Sequence, residues 1–116
     1  MREIKFRGYS KLNNMWYYGL LGKFDNKYYI ECEGGAKPFV EEESISQYTG
    51  FKDRAGKEIY EGDIIKNYDD GISGAVIFDA GEWLFWSGCS LYESQAFKNK
   101  LEVIGNTYEE KLKDGK

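Results

Sequence analysis

Short apolar runs separated by glycine-containing turns recur along this chain. The runs at 74–78, 83–86 and 101–104 are each four or five residues long. Apolar runs of that length between turn signals indicate strands rather than helices. Ten Tyr, seven Phe and three Trp beside a single Pro point the same way, because aromatic side chains fit the half-buried surface of a sheet. The sequence therefore predicts a mainly β protein.

The first third of the chain has the pattern of a strand followed by a hairpin. Ile4 and Phe6 alternate with charged neighbours, which is the period of a strand with one wet face. The stretch at 15–33 predicts two antiparallel strands joined at 25–27. Gly19 and Gly22 argue against a helix there and suit a strand with a bulge or a close backbone approach.

The segment at 47–66 combines turns with short strands. Asp53 and Asp63 both adjoin turns, where an aspartate commonly accepts hydrogen bonds from nearby backbone N–H groups. Farther on, Asn106 precedes Glu109 by three positions, the spacing of a helix N-cap, and predicts a short C-terminal helix through Leu112.

These elements predict one domain over residues 1–116. Closely spaced short strands favour closure, because a barrel removes exposed sheet edges. We therefore expect a small SH3-like barrel with a short C-terminal helix at 46–116, and an N-terminal β layer at 1–45 that packs on it.

No apolar run reaches the roughly 18 residues that a membrane-spanning helix needs, and charges interrupt the N-terminal segment where a signal peptide would be apolar. We expect a cytoplasmic protein without a membrane partner.

Several segments together carry a resemblance to a known family. They are QYTG at 47–50, Asp53, Gly56, Lys57, IYEGDI at 59–64, EVIGN at 102–106 and the opening REIKFR at 2–7. In these segments the chain resembles the YopX family of phage and prophage proteins. The resemblance implies a small, mainly β protein with no established biochemical activity and no catalytic residues to carry over.

The residue types narrow the chemistry. The chain has no His, and its two Cys lie far apart, so it lacks the usual nucleophile pairs and cannot build a four-ligand zinc site from Cys alone. A carboxylate-only enzyme would have to draw on Asp53, Glu61 and Asp63. We expect no enzyme, no metal and no cofactor.

The first functional hypothesis is a protein-interaction module that binds a host or phage protein. Large aromatic side chains dominate interface energetics. The aromatic contacts expected for this role are Tyr48, Tyr60, Trp83 and Trp86, and the alternative for each is packing in the core.

The second hypothesis is nucleic-acid binding through the basic N-terminal strand. Residues 1–30 carry six Lys or Arg and two acids, although the whole chain has a net charge of −4. Tyr9 and Trp16 could stack on bases. Solvated strand charges are the alternative, and the +4 segment could also attract an acidic surface of another copy in a homo-oligomer. The expected nucleic-acid contacts are Arg2, Lys5, Arg7 and Lys11.

Overall fold

A computed structural model describes the chain at residues 4–68, 71–79, 81–85, 89–90 and 100–114. A 3-10 helix occupies Glu42–Ser44, and an α-helix, α1, occupies Thr107–Asp114. The strands, in chain order, are β1 Phe6–Ser10, β2 Met15–Phe24, β3 Lys27–Glu31, β4 Phe39–Val40, β5 Ser46–Lys52, β6 Glu58–Tyr60, β7 Asp63–Asn67, β8 Ser73–Asp79, β9 Glu82–Phe85, β10 Cys89–Ser90 and β11 Leu101–Asn106.

The strands form two antiparallel sheets. Their orders are β4-β3-β2-β1-β5-β6 and β10-β9-β8-β7-β11. The predicted mainly β fold with a short C-terminal helix is thus confirmed. Among the described residues neither sheet closes on itself, so the SH3-like barrel is not confirmed. Closure needs a continuous ladder, whereas the outer edge of β11 meets the turn at Asp53 and Arg54 through single hydrogen bonds.

The chain divides into two compact units, residues 1–48 and 49–116. In the first unit, β2 pairs with β1 on one side and β3 on the other. The inward side of this sheet carries Ile30 and Val40, both buried. Gly8 makes room for Val40, since a Cβ at Gly8 would lie 2.6 Å from Val40 Cγ2. The prediction of one domain with a division after residue 45 stays a prediction.

The two glycines of β2 accommodate close neighbours on β3. A Cβ at Gly19 would lie 2.1 Å from the backbone oxygen of Glu31, and one at Gly22 would lie 2.3 Å from the Tyr29 ring. The close approach predicted for this strand is therefore confirmed.

The second unit has its own apolar core. Its members come from four strands and the start of β11, and partly buried Phe51 and Val103 pack against them. The buried residues of this core are Ile59, Ile65, Val76, Trp83 and Leu101.

Helix α1 begins where the sequence predicts it. The backbone N–H of Glu109 donates to Asn106 Oδ1 at 2.9 Å, so Asn106 is the N-cap. Within the described ranges, no helix has both the length and the apolar character needed to cross a membrane. The loop with a helical turn expected at 90–100 falls mostly on 91–99, which lie outside the described residues.

Candidate interaction surface

The aromatic residues predicted to contact a partner lie in the interior. Tyr48, Tyr60 and Trp83 are 5%, 2% and 6% exposed. Side chains this deeply buried cannot form a contact surface, so the prediction is corrected to core packing for these three. Trp86 lies outside the described residues.

Two of the buried aromatic side chains have polar or aromatic neighbours that fix them. Tyr60 donates its hydroxyl to Glu58 Oε1 at 3.0 Å. The Trp83 ring meets the Phe78 ring edge to face, with 4.6 Å between centroids. Both side chains therefore have structural roles in the second unit.

The residues predicted to contact nucleic acid differ in how far they are exposed. Arg7 is buried, its Nε donates to Ser46 Oγ at 3.0 Å, and its guanidinium lies 4.8 Å from the centroid of the Trp16 ring. A side chain held in this way cannot reach a phosphate, which corrects the prediction for Arg7. Lys5 is half-buried with its ammonium 5.5 Å from the Tyr48 ring, and Lys11 is exposed. Arg2 lies outside the described residues.

The rings proposed to stack on bases contact each other instead. Tyr9 and Trp16 are cross-strand partners and meet edge to face, with 5.4 Å between centroids. Both are half-buried, and the Tyr9 hydroxyl donates to Asn14 Oδ1 at 3.3 Å. An edge-to-face pair with Arg7 against one ring leaves little face for a base.

An exposed apolar surface does exist, on the other side of the first unit's sheet from Ile30 and Val40. Successive side chains of a strand point to opposite faces, and cross-strand partners share a face. Because Leu20 pairs with Glu31 and Phe24 with Lys27, these four residues lie on one side. We call this surface the open face and define it by Tyr18, Leu20, Phe24, Lys27, Tyr29, Glu31 and Phe39.

The open face exposes large apolar side chains. Tyr18, Leu20, Phe24 and Phe39 are between 45% and 68% exposed. Tyr29 lies at the centre with its ring against Gly22, and it meets Phe39 edge to face at 6.4 Å between centroids.

Two charges of opposite sign complete this surface. Lys27 and Glu31 are both exposed, and the Lys27 ammonium lies 5.6 Å from the Phe39 ring. Each is two residues from Tyr29 along β3, so the charges flank the central ring symmetrically.

A local signal in the sequence could have revealed the open face. Asp25 and Asn26 both adopt positive φ, 54° and 64°, as the two central residues of a type I′ hairpin turn. A two-residue turn there pairs Phe24 with Lys27 and thereby sets the register of the whole hairpin. Treating 25–27 as a three-residue connection concealed which side chains share a face.

Two of the three carboxylates considered for catalysis accept hydrogen bonds from backbone N–H groups. Asp53 and Asp63 are buried, and Asp63 Oδ2 accepts the Tyr60 N–H at 2.7 Å. Asp53 Oδ1 accepts the N–H groups of Ala55 and Lys57, both at 2.9 Å. Glu61 is half-buried. Over the described part of the chain, no three Cys, Asp or Glu side chains are grouped so as to hold a metal ion.

Comparison with known proteins gives one family and one fold. The family model described as YopX protein matches residues 5–112, which confirms the resemblance found in the sequence. A search of the curated proteins finds no match. Among solved structures, the chain is similar to protein EF1440 from Enterococcus faecalis, with 20% identity and a TM-score of 0.58. The match covers 94% of this chain and 96% of that one. At this identity the likeness concerns the fold alone.

Proposed function

The chain belongs to the YopX family, and we propose that it is a non-catalytic protein-interaction module, an accessory protein of a phage or prophage. The open face is its contact surface. One observation carries the proposal: four large apolar side chains are exposed together on one side of a sheet. Exposed apolar surface of this kind marks interaction sites, because covering it with another protein removes it from water.

The charges of the open face favour a protein over a nucleic acid. Lys27 and Glu31 cancel each other, whereas phosphate binding needs a concentrated basic surface. Arg7 is engaged with Ser46 and Trp16 inside the first unit. Nucleic-acid binding through Lys5 and Lys11 therefore stands as the alternative.

Three finer proposals accompany this function. The partner is a host or phage protein, the setting is the cytoplasm of the bacterial host, and residues 46–116 form an SH3-like barrel. The meander of short antiparallel strands from β7 to β10, with β11 beside β7, supports the barrel. Membership of the family supports the phage setting.

Affinity capture from a lysate of the host cell tests the function. The wild-type protein is compared with Leu20→Asp and Phe24→Asp, which place a charge on the open face. Ile77→Asp is the control, because Ile77 is an aliphatic residue on β8 that is also about half exposed. The proposal expects a captured protein to be lost with the two open-face variants and retained with the control, while circular dichroism shows all four chains folded. Equal capture by all four folded proteins contradicts it.

A salt titration tests the alternative. A fluorescent single-stranded oligonucleotide is mixed with the wild-type protein and with a Lys5→Ala/Lys11→Ala variant. Nucleic-acid binding predicts affinity that falls steeply with salt and falls again in the variant. Absence of binding at low salt eliminates this alternative.

A further inference from the structure

We propose that the partner of the open face is a second copy of this chain, bound through a two-fold symmetric contact centred on Tyr29. The proposal rests on the function proposed above, since it names the occupant of the same surface. Its basis is a pattern of charged and apolar side chains that is complementary to itself.

The charge pattern comes from one strand. Lys27, Tyr29 and Glu31 alternate with inward-facing residues and therefore share the open face. A two-fold axis in the plane of the contact, crossing β3 at Tyr29, lays β3 antiparallel over its copy. Lys27 then faces Glu31 of the partner subunit, and Glu31 faces the partner's Lys27, because a two-fold contact repeats each pair with roles exchanged.

The apolar residues obey the same symmetry. On β2, Leu20 stands beside Glu31 and Phe24 beside Lys27, with Gly22 beside Tyr29 between them. The rotation that pairs the charges therefore brings Leu20 over the partner's Phe24. Sheets that pack face to face interdigitate such side chains at a separation of about 10 Å.

The Tyr29 ring at the centre of the proposed contact is partly covered by its own sheet. Gly22 has no side chain, and the Tyr29 ring lies in the space that a Cβ there would fill. The flanking Leu20 and Phe24 are more than half exposed, whereas Tyr29 is half-buried. Leu20 and Phe24 therefore supply exposed apolar surface on both sides of the proposed axis.

The presence of one positive and one negative charge on the open face favours a second copy of the chain as its partner. A partner with charge of one sign would leave either Lys27 or Glu31 facing a like charge. A second copy supplies one of each at the matching distance. Paired charges across such a contact set its register and suppress wrong partners more than they add affinity.

Sedimentation equilibrium on the full chain tests the proposal with a charge-exchange cycle. The proteins are the wild type, Lys27→Glu, Glu31→Lys and the double variant that exchanges the two charges. Lys23→Glu is the control, because Lys23 lies on β2 but points to the other side of the sheet. We expect the wild type and the control to reach twice the 13.4 kDa chain mass as concentration rises.

Each single charge variant should dimerise at least about tenfold more weakly, since the two-fold axis creates two like-charge contacts from one substitution. The double variant should regain the wild-type dimer within about threefold, because opposite charges face each other again. The proposed register is overturned if the single variants dimerise as tightly as the wild type. It is also overturned if the double variant does not regain the wild-type dimer affinity.

Companion measurements separate this proposal from the function on which it rests. A wild type that stays at 13.4 kDa at every concentration overturns self-association. If Leu20→Asp still abolishes capture of another protein in that case, the interaction function stands with a different occupant. If neither self-association nor capture depends on the open face, both proposals fail. Binding of a (dT) oligonucleotide that is lost in Phe24→Asp would assign the face to nucleic acid and overturn the dimer.

Discussion

The carboxylate of Asp53 accepts the backbone N–H of Val103 at 3.0 Å, although fifty positions of chain separate the two residues. The next residue, Arg54, donates its backbone N–H to the carbonyl oxygen of Leu101 at 2.8 Å. Together these bonds engage one N–H and one carbonyl oxygen at the outer edge of β11, where a further strand would otherwise pair. A turn that covers an edge strand also protects it from pairing with other chains.

Removing the Asp53 carboxylate should destabilise the protein. Asp53→Ala leaves the N–H groups of Ala55, Lys57 and Val103 without their acceptor, and we expect a loss of about 1–3 kcal/mol in the free energy of unfolding. Urea denaturation followed by circular dichroism measures it. Lys57→Ala is the matched control from the same turn, because it keeps the backbone N–H and removes only an exposed side chain. Equal stability of the two variants contradicts the role assigned to Asp53.

Tyr68 should lose its proton at a higher pH than an ordinary tyrosine. Its hydroxyl donates to Glu102, and this hydrogen bond, with some desolvation and the charge of Glu102, raises its pKa from the usual 10.0, although Arg54 opposes the shift. The stabilisation by this bond is therefore complete below pH 10.0 and is lost as pH rises through the raised pKa. Phenolate absorbance of the wild type minus that of Tyr68→Phe reports the titration. In Glu102→Gln the pKa of Tyr68 should fall, and an unchanged pKa there would reject Glu102 as the cause.

Gly8 should resist even the smallest side chain. Gly8→Ala places a Cβ within 3.0 Å of three Val40 atoms, and overpacking of this kind costs about 1–3 kcal/mol. Val40→Ala removes two of those atoms. The double variant should therefore be less destabilised than the sum of the single variants, by at least about 0.5 kcal/mol in thermal or urea unfolding. Additive losses would show that the two positions do not share this space.

The N-cap of helix α1 should make a measurable contribution to the free energy of unfolding. Asn106→Ala removes the acceptor for the Glu109 N–H and should cost about 0.5–2 kcal/mol. Asn106→Ser retains a side-chain oxygen and should recover part of the loss. Urea unfolding of both variants checks this, and a serine variant no more stable than the alanine variant would argue against the cap.

Local signals in the sequence predicted the elements better than they predicted burial. The Asn106 cap depends on a spacing of three residues, and the strand at β2 depends on its own apolar run, so both were predictable. Whether Tyr48 is buried depends on β5 pairing with β1, where Gln47 meets Phe6 across 41 positions of chain. The hydrophobic pattern of a single segment cannot predict a pairing between strands so far apart in the sequence.

The candidate surface was missed for a related reason. The sequence drew attention to the motif at 47–66 and to its aromatic residues, but residues 49–66 of that motif build turns and core of the second unit. The open face comes from two strands whose shared side is fixed only when the turn at Asp25 and Asn26 sets the register. Aromatic content alone does not distinguish an exposed Phe24 from a buried Tyr60.

Hydroxyl-radical footprinting tests the central claim, that the open face is where this chain contacts another protein. The oxidation of individual side chains is compared between a dilute sample of the chain and the complex that it forms, with its own copy or with a captured protein. We predict protection of Leu20, Phe24 and Phe39 in the complex, with unchanged oxidation of Ile77 and Phe78, which are exposed on β8. Protection of Ile77 and Phe78 with none on the open face would contradict the claim.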